Sequence, residues 1–497
     1  MFNLISKFLR GASSCFLLFT LFAANNASAL PIFARQTSQN CAACHTGGQF
    51  PELTPYGRLF KLTGYTMGAR TTPFAVASVA SMSSVANTTK SDTASSGIST
   101  TNSNSDFYKN NQPIYGTGSL FIGGKVTDNI GSFVQITYDP YDTANVDGSS
   151  SGHTQMDNID LRYADRIIDK QSDLIWGVSV NNNPSVTDVW NTAPAWMQYV
   201  PGANVSSHQF TDANAPYSGL AAGGNLAGVN AYAYWNQTWY GEVGLYTTAD
   251  GATRAFSTGL SDSQITHLNG VNPYWRFAYT KAWGASNLMV GTVGMLANVY
   301  DGSTDPSDAN AYSQVRNIGV DTQYQYILDP LTITAQAAYM QQSTNYSPNA
   351  LGGGAAYQFY QADGVTPVAS INSSDTLNTF RAKLAMTYKA RYGGSFSYFD
   401  LSGTTNTLNQ TSGYEPGGGV LSGANGGGST RVNGNFTGKP DTTGETIEAF
   451  YLPTQNIRLG VQYTNYDKYN GSSTNYDGLG RNANDNNTLY MYAWVAF

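Results

Sequence analysis

Two of the three cysteines in this 497-residue chain stand three positions apart in Gln39-Asn40-Cys41-Ala42-Ala43-Cys44-His45, with a histidine directly behind the second. Three chemistries use such a pair. An oxidising compartment permits a structural disulfide. A thioredoxin-type redox pair requires a surrounding α/β pattern, which the flanking sequence does not have. The third is covalent haem attachment, for which Cys-x-x-Cys-His is the signature: the thiols form thioethers with the porphyrin vinyl groups and the histidine is placed to bind the iron. The histidine favours the third, because the chain holds only four and one of them falls at this position. Cys41 and Cys44 are therefore expected to attach one haem c, with His45 as the proximal iron ligand.

The residues around the motif must position it. Thr54 followed by Pro55 reads as a helix N-cap and first helical position. A short helix to about Thr63 offers Leu59, Phe60 and Leu62 to cover a haem face, and Gly64 ends it. Met67 then turns back as the candidate distal ligand, which would raise the potential relative to a second histidine; the bland alternative is that it packs on the porphyrin. Met82 is a weaker candidate because it falls in the first strand. Arg35 and Arg58 are either partners for the haem propionates through charge-assisted bonds or solvated arginines. His153, His208 and His267 map to long outward loops.

The rest of the chain belongs to another solvent. Lys7 and Arg10, an apolar run from Gly11 to Ala24 and Ala27-Ser28-Ala29 follow the pattern of a secretory signal over residues 1–29. That segment takes Cys15 and both basic residues with it, so the net charge of −7 becomes −9. An acidic chain without a basic face argues against nucleic acid as a partner. Only 11% of residues are charged, against about 25% in typical globular domains. The 34 tyrosines, 52 glycines and many Asn, Ser and Thr suit a wall with lipid outside and water inside.

From about residue 74, segments of roughly ten residues alternate in polarity, as membrane strands do. In Asn456–Tyr466, Ile457, Leu459, Val461 and Tyr463 share one face and Arg458, Gly460, Gln462 and Thr464 the other. Sixteen such segments are expected, near 74–86, 115–126, 130–140, 156–166, 173–182, 227–236, 238–248 and 272–283, then 286–299, 313–326, 331–342, 376–389, 392–402, 442–453, 455–466 and 488–497. Short turns at 236–237, 283–285, 390–392 and 453–454 alternate with long loops. The chain also ends on an apolar strand with a terminal Phe497. The fold expected is a transmembrane antiparallel β-barrel over residues 71–497, in the bacterial outer membrane with both termini in the periplasm, preceded by a partly helical haem segment over residues 30–70 that plugs the lumen. Asp160, Glu242, Glu448, Arg162, Arg381, Lys383 and Arg458 should point inward. The Trp-bearing loop over 183–226 could fold inward to narrow the pore, but it is expected instead to cap the outer rim.

The stretch Phe33-Ala34-Arg35-Gln36-Thr37, the CxxCH motif, Phe50-Pro51, Gly57-Arg58, Phe60-Lys61 and Gly64-Tyr65-Thr66-Met67, followed by a barrel, resembles the fused monohaem c-type cytochrome–porins of iron-oxidising bacteria. The specific match covers residues 33–68; the remainder matches in architecture. The resemblance implies a ferrous iron oxidase of the outer membrane, with extracellular Fe(II) as electron donor, one covalent haem c, and a periplasmic c-type cytochrome or cupredoxin as acceptor; the alternatives are an outward electron conduit to an external acceptor and a solute-conducting porin with a structural haem.

Overall fold

The computed structural model describes residues 31–48, 52–87, 110–144, 150–192, 226–257, 267–300, 307–348, 359–360, 367–368, 372–406, 435, 437–477 and 480–497; the signal segment and His208 lie outside them. Sixteen strands close into one antiparallel barrel. They are Phe74–Val85 (β1), Ile114–Lys125 (β2), Ile130–Ala144 (β3), Ser150–Ile168 (β4), Asp173–Asn181 (β5), Leu226–Trp235 (β6), Trp239–Thr248 (β7) and Asn272–Trp283 (β8). The second half comprises Ser286–Tyr300 (β9), Tyr312–Leu328 (β10), Leu331–Asn345 (β11), Ser374–Tyr388 (β12), Tyr392–Gly403 (β13), Thr442–Thr454 (β14), Ile457–Lys468 (β15) and Thr488–Ala496 (β16). Each strand pairs with its neighbours in sequence, and β1 closes on β16 with Ala77 opposite Ala496. At that seam Val76 and Phe497 exchange backbone hydrogen bonds of 2.8 and 2.9 Å, so the terminal residue completes the ladder and leaves no free edge.

The alternation has a direct physical cause: successive side chains of a strand point to opposite faces. Outward positions carry Val243, Leu245, Val290, Val320, Leu384 and Ile447, all exposed. Trp235, Trp239, Trp283, Tyr388 and Tyr392 ring the end where the short turns lie. An exposed aliphatic band with an aromatic rim is the surface of a barrel solvated by hydrocarbon. The inward set is Asp160, Arg162, Glu242, Arg381, Lys383, Glu448 and Arg458, as the alternation predicts, and none is more than 4% exposed. Chain entry at Phe74 and exit at Phe497 both lie at the short-turn end.

Three expectations are corrected. The β14–β15 turn is Gln455-Asn456, because Thr454 still pairs with Ile457 after a register shift. β4 starts at Ser150, so His153 lies on a strand opposite Asp139 and not in a loop. Its outward neighbours Gly152 and Thr154 are exposed and small or polar, so this end of the hairpin carries no apolar alternation to read. The segment after β5 does not cap the rim over its described part: a short helix, Pro184–Thr187, leads to Trp190, which is 1% exposed inside the lumen.

Val320→Arg, at the middle of β10 on the exterior, is expected to cost about 2–4 kcal/mol of stability in lipid vesicles, the penalty for a cation at the bilayer midplane. Urea titration of the folded barrel measures it; a loss below about 1 kcal/mol contradicts a hydrocarbon-facing exterior.

Candidate cofactor site

The described residues before β1 fold inside the barrel and form three short helices, Pro31–Thr37 (α1), Cys41–Cys44 (α2) and Pro55–Leu62 (α3). α1 inserts Ile32 among Ala75, Ala77, Phe121 and Ala496 of the wall. Phe33 packs on Phe60 at 4.9 Å and stacks on Tyr65 at 5.6 Å. The expected N-cap is present: the Gly57 backbone N–H donates to Thr54 Oγ1 at 3.1 Å, and Gly64 leaves the helix with φ +69°. Leu59 and Leu62 pack with Ile175, Val189 and Trp190, so these apolar residues anchor α3 to the wall and to the inward segment after β5.

α2 begins with Asn40, whose Oδ1 accepts from Ala43 N at 3.0 Å. A three-residue spacing sets both thiols on one side of a helix, and neither cysteine is in a disulfide. Cys41 is buried, its thiol 3.3 Å from the Gln455 carbonyl oxygen. Burial pushes the Cys44 thiol up to about 11, with Cys41 adding to the effect, the opposite of the depressed value a redox-active Cys-x-x-Cys pair needs. His45 leaves the helix in extended conformation, its N–H bonded to Cys41 O at 2.8 Å, and forms an antiparallel bridge with Leu53. Gly57 allows α3 to lie against α2, since a Cβ there would stand 2.2 Å from the Cys44 carbonyl oxygen.

Four side chains of this segment fix it to the barrel. Glu52 Oε1 meets Lys383 Nζ at 2.5 Å, both buried. Arg58 donates to Leu53 O at 2.7 Å, Gln325 Oε1 at 2.9 Å, Gln323 Oε1 at 3.2 Å and Asn287 Oδ1 at 2.8 Å; burial pushes its guanidinium down to about 10, still cationic at neutral pH. Lys61 Nζ donates to the Asp188 carbonyl at 2.8 Å, and Tyr65 Oη to Asp160 Oδ2 at 2.5 Å. Asp188 belongs to the inward segment, which is itself locked by an Asp188–Arg276 contact of 3.5 Å and by Gln323 Nε2 donating to Trp190 O at 3.1 Å. Arg276 grips Asp321 with bonds of 2.6 and 2.7 Å.

The structure thus brings Cys41, Cys44 and His45 together on one turn inside the lumen. Met67 is half-buried behind α3, its carbonyl accepting from Gln36 Nε2 at 2.9 Å. Arg35 is exposed at the short-turn rim, where it donates to the carbonyls of Phe74 and, at 3.5 Å, Thr72. Met82 points outward from β1, opposite Met491. His267 stacks edge-on against Tyr300 beyond the loop end. Sequence reasoning missed Glu52, Asp188, Trp190 and the wall residues Thr334 and Gln336. Glu52 carried a signal, as the one acidic residue between Cys41 and Met67; its partner did not. Buried polar atoms without a partner lie at this contact: Glu52 Oε2, Thr334 Oγ1 and both polar atoms of Gln336. Unbridged cysteines at the attachment spacing and orphaned polar atoms beside their loop fit a covalently held haem.

No family model matches the chain, and no curated protein matches it. Among solved structures it is similar to Pseudomonas putida OprB at 10% identity and TM-score 0.42, over 92% of this chain and 100% of that one. The outer membrane channel DcaP of Acinetobacter baumannii is similar at 12% identity and TM-score 0.41, over 85% and 96%. Salmonella typhi OmpF is similar at 10% and 0.41, over 85% and 97%. The barrel assignment rests on the strand pairing given above.

Glu52→Leu leaves Lys383 buried without this counter-charge and is expected to loosen residues 41–62 by about 3–5 kcal/mol, whereas Glu52→Leu with Lys383→Met recovers most of the loss. Hydrogen exchange of the full-length protein in nanodiscs measures both, and equal losses contradict the ion pair as an anchor. A second expectation concerns Lys61. Burial pushes its amine down to about 8 from an ordinary 10.5, with the Arg162 charge contributing. Between those values the unfolded chain holds a proton that the folded chain has released, so stability rises with pH across that window, and the full cost of burying the charge is present below it. The carbon NMR signal of dimethylated Lys61 should titrate near pH 8; a midpoint near 10.5 contradicts the burial.

Proposed function

We propose that this chain is a bacterial outer-membrane electron-transfer protein that oxidises extracellular Fe(II) and delivers the electron to a periplasmic c-type cytochrome or cupredoxin. The observation that carries the reading is the Cys41-Ala42-Ala43-Cys44-His45 turn held inside a closed barrel by buried polar contacts. Cys41 and Cys44 would hold a haem c by thioethers, and His45 would ligate its iron, with Met67 as the candidate second ligand. Haem c supplies a one-electron ferric/ferrous couple when bound. Fe(II) as donor comes from the resemblance of residues 33–68 to the cytochrome–porin iron oxidases.

The filled lumen supports electron transfer over solute passage. The inward side chains Asn230, Arg276, Gln323, Gln336, Lys383 and Glu448 are at most 6% exposed, and the described residues of the N-terminal segment and of 184–192 bond Lys383, Arg276 and Gln323 among them. A barrel sealed in this way keeps the donor and its poorly soluble oxidised product outside while an electron crosses. With short turns on the periplasmic side, as in bacterial outer-membrane barrels, both chain ends and the rim at Gln455 beside Cys41 face the periplasmic carrier.

Rapid mixing of haem-loaded protein with Fe(II), at a pH where the ion stays soluble, should raise the reduced c-type absorbance in the wild type and give none in Cys41→Ala/Cys44→Ala. Vesicles containing the wild type should retain small sugars. A haem-loaded protein that Fe(II) does not reduce contradicts the donor assignment, and free sugar leakage contradicts the sealed lumen.

A further inference from the structure

We propose that Gln336 and Thr334 on β11, with Lys383 on β12 as the adjacent cation, hydrogen-bond the propionate edge of the haem. The inference rests on the haem reading above and concerns only which residues of the wall receive the carboxylates. Three independent observations lead to it. The first is unmet hydrogen-bonding capacity. Gln336 is 6% exposed and Thr334 3%, yet neither the amide atoms of the one nor the hydroxyl of the other has a partner. A buried donor without an acceptor is costly, and these two neighbouring side chains face the lumen with donors that a carboxylate could take.

The second is position. Leu53, the bridge partner of His45, takes Gln325 Nε2 on its carbonyl at 3.1 Å, and Gln325 is the register partner of Thr334. Glu52 pairs with Lys383, which is the register partner of Gln336. The loop that follows the attachment motif therefore bonds the register neighbours of both side chains. The third is charge. At mid-height and below, the inward charged residues on the described strands from β11 to β16 are Arg381, Lys383 and Arg458 against Glu448, with Glu52 supplied by the segment. Lys383 lies directly opposite Gln336 in the register, so a cation stands beside the amide, which favours an anion there. The two arginines of the segment are engaged elsewhere: Arg58 bonds wall amides and Leu53 O, and Arg35 sits at the exposed rim.

Full-length haem-loaded protein in nanodiscs tests the assignment by resonance Raman spectroscopy of the propionate bending band. Gln336→Leu and Thr334→Val, folded by heat-shifted gel mobility, should keep the haem covalently attached and move that band, whereas Arg35→Gln should not. Gln336→Lys and Gln336→Glu keep the position polar, and they should shift the midpoint potential in opposite directions, upward and downward. A band unmoved by Gln336→Leu and Thr334→Val, or moved by Arg35→Gln alone, overturns the assignment while leaving the haem reading intact. A wild type without covalent haem removes both.

Discussion

The charged side chains that point into the middle of this barrel are buried, and most of them meet an opposite charge within the protein. A lone buried ion would cost far more than the few kcal/mol that hold a domain together, and four cations of the wall each stand beside a carboxylate: Arg162 with Asp160, Arg276 with Asp321 and Asp188, Arg458 with Glu448, and Lys383 with Glu52. The last of these joins the wall to the N-terminal segment. Lys61 and Tyr65 tie the same segment to the barrel interior by hydrogen bonds, to the Asp188 backbone carbonyl and the Asp160 carboxylate. The segment is thus a structural part of the lumen, and the CAACH turn inherits a fixed place from that requirement.

Much of the wall was legible because its two faces meet different solvents. Ile457, Leu459 and Val461 alternate with Arg458, Gly460 and Gln462, and that period of two located β15 to within two residues. Thr54-Pro55 and Gly64 bounded α3 for an equally local reason, since caps and left-handed exits are written in one or two residues. Contacts across the lumen were not legible. Glu52 and Lys383 are 331 positions apart, and nothing in either neighbourhood names the other. Trp190 illustrates a second limit. A tryptophan in a long polar loop reads equally well as a rim cap or an inward anchor, and the choice follows from Asp188 reaching Arg276. Where alternation stopped, as at Ser150–His153, so did the strand reading, although the backbone ladder continued.

On the haem reading proposed above, one redox site suffices. A closed sheet leaves no gap between strands, the N-terminal segment packs against inward residues, and the CAACH turn lies in a part of the described chain that both enters the lumen and reaches the short-turn rim. Cys41 at Gln455 marks that rim, while α3, through Leu62 and Lys61, reaches the inward segment that descends from the loop end.

The measurement that bears most directly on this account is the pyridine haemochrome of the full-length protein purified from cells that mature c-type cytochromes, before and after acid–acetone extraction. One haem per chain that resists extraction, with a c-type spectrum, is the result the account predicts. A colourless protein, a haem that extracts, or a Cys41–Cys44 disulfide found by mass spectrometry would contradict it.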